Sequence, residues 1–593
     1  MDWDLSPFFD GVESEAYDAY AREVGNSIEA LKEHLANLAP LDASTLPDWR
    51  AALDDYEGIA ARHSHLMTYI YCIRACDVTD TAVQRAEGQA TQLGAEMTKL
   101  RMELLRGVGR AEQEQADALT AGELEELSFF VERLRREAAR SMGPQLEGLA
   151  ADLGTDGISA WGRLYNNIAG KLELDFEHPD GRRERIPMAQ RRSLMRDPNR
   201  EVRKAAFAAG NRAWRDVADT VAAALNHIAG TRLTLYRHRG IDHFLDVALE
   251  DARITQASLD AMFEAVERHA EVPRRYLRLK ARAMGLDRIS WFDLEAPVMS
   301  DSSEHIPWDS GKEMIRDAFG ASYPALRDFF DRAIERRWVE HSPRPGKAPG
   351  AFCASSPVLS EARIYMTYQN TFGDVSTLAH EIGHGFHSHV LRSARPLARR
   401  YPMTLAESAS TFAELILSDG LLARDDIDDA HRTSLLAQAV GDGAIFLLDI
   451  TTRFHFERSF YEERADGELS VAELEELMVS TQREVFGDAL AEGGEDPLFW
   501  ASKLHFFITG VSFYNFPYTF GYLLSRGLRA MHEEEGDAFL PRYEAFLAES
   551  GKGWAHEVVR DTLGRDLESP GFWEESILSL VPSIERLESL LTA

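Results

Sequence analysis

The sequence predicts a mostly α-helical fold with a small β-sheet near its chemistry. Apolar residues recur at helical spacing through most of the chain. Strand patterns are confined to two short stretches. The composition, 593 residues with 45% apolar and 27% charged, is that of a globular chain long enough to bury a large core without staples. At this length about three to six domain-sized units are expected, or fewer large ones.

Leu93, Met97, Leu100 and Leu104 form one helical stripe, the pattern of a core-facing helix side. Ala111 to Arg140 is built from Ala, Glu, Leu and Arg, all strong helix formers. Lys171 to Phe176 then alternates polar and apolar residues, and Pro179-Asp180-Gly181 supplies a turn. Arg183 to Ile186 reads as the returning strand of a hairpin. Asp197-Pro198-Asn199 reads as a helix start. The stretch 297–311 is polar and irregular, and three prolines with two glycines make 340–350 a loop. Arg363 to Tyr368, rich in β-branched and aromatic residues, is the second strand candidate. Near the C-terminus Pro582 precedes the stripe Ile584, Leu587, Leu591, again a helix. The expected division is a helical region over 1–200, with the hairpin near 171–186, followed by a larger helical region over 201–593.

Charge excludes several function classes. With 65 Lys and Arg against 98 Asp and Glu, the formal net charge is −33. A nucleic-acid partner is not expected, because phosphate binding needs a basic face, and docking on an anionic membrane is disfavoured for the same reason. No basic stretch leading into an apolar one opens the sequence, and runs such as Ala444 to Leu448 are too short to span a bilayer. Three cysteines make no disulfide framework, and Cys72 and Cys76 read as small buried residues. These features together point to a cytoplasmic protein.

One stretch carries chemistry. Residues 380–384 read His-Glu-Ile-Gly-His, and with 19 histidines chance supplies only ~0.05 such pentapeptides. On a helix, residues four apart lie one above the other, so His380 and His384 can close on one zinc ion while Glu381, beside them, takes a proton from water. Asp374 is placed to cap that helix. A third ligand is required, and Glu407 is the choice, flanked by small residues that let a second helix come close. Glu414, two turns further along the same face, is expected to hold a ligand imidazole by its other N–H. His387 and His389 read as packing residues. A second stretch, 505–522, is dense in aromatics and holds His505, Tyr514 and Tyr518. It is either core, as such density usually means, or a source of donors for an oxyanion. Gly510 offers it a bend.

Gly350-Ala351-Phe352-Cys353, the strand Ile364 to Tyr368, Asp374 to His387, Leu405 to Glu414 and Phe513 to Tyr522 resemble the thimet oligopeptidase and oligoendopeptidase F family of zinc metallopeptidases. The likeness is most specific over about 350–525. It implies a large helical, two-lobed zincin-type peptidase with a deep central channel and one Zn2+ on His380, His384 and Glu407. It also implies Glu381 as general base, with His505 and Tyr514 or Tyr518 steadying the tetrahedral intermediate. Substrate backbone would add to the strand carrying Tyr365 and Tyr368. The implied function is cleavage of internal bonds in short, unstructured peptides by metal-activated water. A peptidyl-dipeptidase or carboxypeptidase is the first alternative. It would need a cation for the terminal carboxylate, and Arg363 and Lys503 are available. A non-catalytic zinc-bound peptide-binding protein is the second, and the intact Glu381 argues against it. Cys353 has no evident activating base and is not expected to be a nucleophile.

Overall fold

The structure is a computed structural model and describes residues 1–298 and 305–592. Of the irregular stretch expected at 297–311, residues 299–304 lie outside the described residues. Helices dominate, and the described residues hold two small sheets, one of two strands and one of three. The chain divides into two compact units, each drawn from three stretches. One comprises Met1–Arg140, Ser303–Asp425 and Leu528–Arg565, the other Ser141–Ser302, Asp426–Gly527 and Asp566–Ala593. The region expected at 1–200 therefore contributes to both.

In the first unit, α1 (Glu15–Asn37), α2 (Leu46–Cys76) and α3 (Thr81–Val108) pack together. Ser14 caps α1 and Asp80 caps α3, each side chain accepting from backbone N–H groups of the first turn that have no partner inside the helix. The stripe Met97, Leu100, Leu104 is buried against Ile28, Leu31 and Leu35 of α1 and Trp49 and Leu53 of α2. Cys72 and Cys76 are free thiols inside a second cluster formed with Trp3, Phe8, Tyr69 and Tyr365. The Ala111–Arg140 stretch is not one helix: it breaks into 113–120, a 3-10 segment at 122–127, and 128–139.

The three-stranded sheet of this unit has the order β3 (Val339–Glu340), β5 (Glu361–Tyr365), β4 (Phe352–Ser356), with β3 parallel and β4 antiparallel to β5. This corrects the expected substrate strand. The strand is central, so neither of its edges can accept a peptide backbone. Tyr365 and Tyr368 are buried, their hydroxyls donating to the carbonyls of Ala75 and Ala348 and of Ile306 respectively. Among the described residues, the outer edges of the sheet belong to β3, only two buried residues long, and to β4. Arg363, on β5, is also unavailable to a ligand: it is 1% exposed, pairs with Glu361 and donates to the Asp4 carbonyl.

In the second unit, β1 (Glu173–Glu177) and β2 (Arg183–Pro187) form the expected antiparallel hairpin. Its buried Leu174, Phe176 and Ile186 pack on Ala206, Ala209 and Ala213 of the helix Arg200–Asp216. Asn199 caps that helix. The C-terminal helix Val581–Thr592 buries Ile584 and Leu587. Asp429–Arg464 is a continuous 36-residue helix, long and apolar enough by length and composition to cross a bilayer, with 56% of its apolar window buried inside the molecule. The expectation that apolar runs are too short is corrected here: the helix interleaves polar residues that a scan for unbroken apolar runs does not pass.

Candidate metal centre

The His-Glu-x-x-His segment lies on the helix Phe372–Val390. Thr371, not Asp374, is its cap. The Thr371 hydroxyl oxygen accepts from the Asp374 N–H, and the Asp374 carboxylate accepts from the Thr371 N–H at 2.9 Å. The helix thus starts one reciprocal capping box earlier than expected. Val375, Leu378, Ile382 and Phe386 bury its apolar stripe.

The helix Met403–Leu422 crosses it at very short range. A Cβ on Gly383 would lie 2.5 Å from the Ala409 carbonyl oxygen and 2.6 Å from the Ser410 Cα. Only glycine inside the motif, facing Ser408-Ala409-Ser410, lets the backbones meet. That contact carries Glu407 to the histidines. Its Oε2 stands 3.3 Å from His380 Nε2 and 3.7 Å from His384 Nε2, and donor atoms from all three residues lie within 4.8 Å of one another. Ser410 Oγ donates to the same Glu407 oxygen at 2.7 Å. Glu414 reaches the other ring nitrogen of His380 at 2.7 Å and is itself held by Ser376 Oγ at 2.8 Å. Two imidazole nitrogens and a carboxylate, with a second carboxylate orienting one ring, fit a divalent metal.

Glu381 lies beside this set, 6% exposed. Its Oε2 is buried and has no hydrogen-bond partner among the described residues. A buried orphan oxygen is costly, and a water awaiting proton transfer is the ligand it suits. Burial, together with the charges of Glu407 and Glu414, raises its pKa to about 7. Burial opposes charging His380, yet Glu414, then Glu407 and Glu381, raise it to about 9. His384 is pushed down by burial and by the neighbouring His380.

The other polar groups nearby are structural. His387 is fully buried, stacks on Tyr401 at 4.0 Å and reaches Ser550 Oγ at 2.8 Å. His389 packs on Phe329. Burial and the Glu381 charge hold the Cys353 thiol well above its usual range, so it supplies no thiolate.

His505, Tyr514 and Tyr518 belong to the second unit. Their rings form one cluster, with centroids 5.3 to 6.2 Å apart. Asn515 Oδ1 lies 2.8 Å from His505 Nδ1, and burial and Arg453 lower the pKa of the ring. The chain bends at Gly510, as expected, and Phe513, three residues on, has a left-handed φ of 53°. Strain at a non-glycine residue persists only where its surroundings enforce it. The Glu457 carboxylate accepts from the Phe513 N–H at 2.8 Å, and Arg232 donates to the carbonyls of Ile508 and Val511. These two anchors, and Asn515, escaped sequence reading: Arg232 and Glu457 are distant in the chain, and a lone Asn among aromatics gives no signal.

The chain is similar to known peptidases. Peptidase family M3 matches over residues 193–577, and an oligopeptidase F domain matches over 109–173. The oligopeptidase PepF of Bacillus subtilis is 23% identical across 95% of this chain and 84% of its own length. An oligoendopeptidase F homolog of Lactococcus lactis is 27% identical across 79% and 78%. The crystal structure of oligoendopeptidase-F from Enterococcus faecium superposes with a TM-score of 0.71 at 17% identity, covering 98% of this chain and 99% of that one. With the family match spanning more than half of the sequence and including both helices that bear the ligand set, the chain belongs to peptidase family M3 and is a metallopeptidase.

Proposed function

We propose that this metallopeptidase is a zinc-dependent endopeptidase acting on internal bonds of short, unstructured peptides. The observation that carries the reading is the convergence of His380, His384 and Glu407 beside a buried, unpartnered Glu381 oxygen. Zinc is the ion this donor set suits, and when bound it supplies Lewis acidity that activates water and polarises the scissile carbonyl.

The chain's own groups do the rest. Glu381 takes the proton of the attacking water and returns it to the leaving amine. Its carboxylate, buried and with one oxygen free of hydrogen bonds, is available for both transfers. Glu414 holds His380 in one tautomer by binding Nδ1–H. The free edge of β4 is the place for an extended substrate backbone, and β4 packs on the helix that bears Glu381. His505, Tyr514 and Tyr518 are the proposed oxyanion donors. For His505 that role requires a proton on Nε2.

The test is cleavage of an internally quenched peptide of about ten residues, blocked at both ends, a length suited to a strand-binding cleft. Wild type cuts internally. Glu381→Gln keeps its zinc and loses activity by about 10²- to 10⁴-fold, the usual contribution of a general base. Undiminished cleavage by the variant would sink the assignment, and trimming only of unblocked peptides would make the enzyme an exopeptidase.

A further inference from the structure

The second unit holds a cavity of about 440 Å³ that, apart from His505 on its border, the proposed hydrolytic chemistry does not use. Trp214, Trp291, Phe486 and Phe499 give it apolar walls, and His505 stands on its border. Its charge is opposite to that of the molecule. In a chain of net charge −33, the cavity is lined by five cations and three carboxylates.

Each carboxylate is already taken. Asp449 accepts two bonds from Arg453, Glu295 pairs with Arg196 at 2.8 Å, and Asp496 faces Arg191 at 3.6 Å. That leaves Lys503 and Arg192, neither of which has a carboxylate partner among the described residues. Arg192 is exposed at the rim. Lys503 is deep. Its ammonium rests over the Phe499 ring at 4.4 Å and makes no hydrogen bond among the described residues. It is crowded on nearly all sides yet keeps partial solvent access, as a side chain lining a concavity does. Burial and the nearby Arg453 push its pKa down to about 8. Its Nζ has no paired counter-ion among the described residues, since Asp449, Glu295 and Asp496 act on it only at longer range, and an incoming anion supplies one. The aromatic walls select an anion attached to apolar carbon. A cavity of this size takes a residue or two of a peptide.

We infer that this cavity is a carboxylate subsite, in which Lys503, aided by Arg192, binds the carboxylate of a peptide whose neighbouring side chain fills the aromatic walls. The inference rests on the peptidase reading for the identity of its ligand. A terminal carboxylate and an acidic side chain share this chemistry. Lys503 is a positioning residue for the substrate, and no bond is made or broken at it.

The test is binding of uncut peptides to full-length, zinc-loaded Glu381→Gln protein. The probes are acetylated octapeptides ending in Phe, as free acid and as amide. Two further amides carry Glu or Gln at the penultimate position. The free acid is expected to bind about tenfold more tightly than the amide, the size of one partly desolvated ion pair. Adding Lys503→Met abolishes that preference and Lys503→Arg restores it. Preference for Glu over Gln among the amides, also lost with Lys503→Met, assigns the subsite to a side-chain carboxylate instead. Should Lys503→Met fail to fold, Arg192→Gln at the exposed rim reports instead, with the preference reduced about threefold. Equal binding within both pairs overturns the proposal, as does a preference that survives loss of Lys503. Failure of wild type to cut the blocked peptide counts against the peptidase reading alone, because affinity is read in a variant that does not need to cut.

Discussion

Glu414 stands behind the candidate ligand His380, where it can act only by holding the ring. Its carboxylate fixes the His380 ring from behind at 2.7 Å and is fixed in turn by Ser376. Groups in this position typically contribute 10- to 100-fold in metal affinity. Glu414→Ala should therefore weaken zinc binding by about that factor, measured by competition with a chromogenic chelator. Ser376→Ala should weaken it less, because the carboxylate keeps its bond to the ring. Equal affinities in wild type and Glu414→Ala would show that packing alone orients His380. Glu381 differs in kind. Its orphan oxygen makes no contribution to holding the fold, so Glu381→Gln should melt at or above the wild-type temperature while activity falls.

Two helices, and the single glycine between them, set the centre. The helix Met403–Leu422 brings Glu407 to the histidines only because Gly383 has no side chain. Gly383→Ala forces a methyl group against the Ala409 carbonyl, and overpacking of this kind costs about 1–3 kcal/mol. The two helices must part, and Glu407 moves with the second. The expected outcome is a lower melting temperature together with faster loss of zinc on dialysis. A variant that melts lower but holds zinc as wild type does would show that Glu407 follows the histidines by side-chain rotation. The sheet carries a similar lesson. The residues of β5 are the better strand formers, and here that strand is central, with Ala362, Arg363, Ile364 and Tyr365 buried. The edge fell to β4, Phe352-Cys353-Ala354-Ser355-Ser356, whose small polar residues give little strand signal.

At the scale of the molecule, each unit buries neutral histidines that acid must charge. In the first unit His65 is 4% exposed, bonded to Ser356 Oγ and stacked on Phe8. In the second, His455 is buried. Burial lowers both to about 4, and Arg458 adds to the effect at His455. Their folded pKa values lie below the unfolded value near 6.5, so the unfolded chain binds more protons between pH 6.5 and 4. Stability contributed by the neutral rings is present above pH 6.5 and is lost as the pH falls toward 4, by on the order of 3 kcal/mol per ring at full extent. Relief of repulsion in a chain of charge −33 acts in the opposite direction. The informative measurement is therefore the difference between proteins. The fall in melting temperature from pH 7.5 to 5 should be smaller in His65→Gln than in wild type. An equal fall would mean His65 is not held neutral.

Helical stripes, caps and the hairpin follow from local periodicity and turn chemistry, and Met97, Leu100 and Leu104, Asn199, and the pairing of Leu174 with Ile186 were all legible in the sequence. So was the closeness of His380 to His384, since a spacing of four on a helix is a local fact, and the approach of Glu407 to them, which small residues next to the carboxylate allow. Three matters were decided by tertiary structure. Strand order made β5 central and β4 the edge, because hydrogen-bond pairing between strands is not encoded in the pattern of either one. The loop around Phe513 is held left-handed by Arg232 and Glu457, which reach it from elsewhere in the unit. Lys503 looked the same as Arg363 in the sequence, both being cations beside an apolar stretch. Packing gave Arg363 a carboxylate and left Lys503 in a cavity whose carboxylates face arginines, because whether a charge finds a counter-ion depends on residues that meet only when the chain has folded.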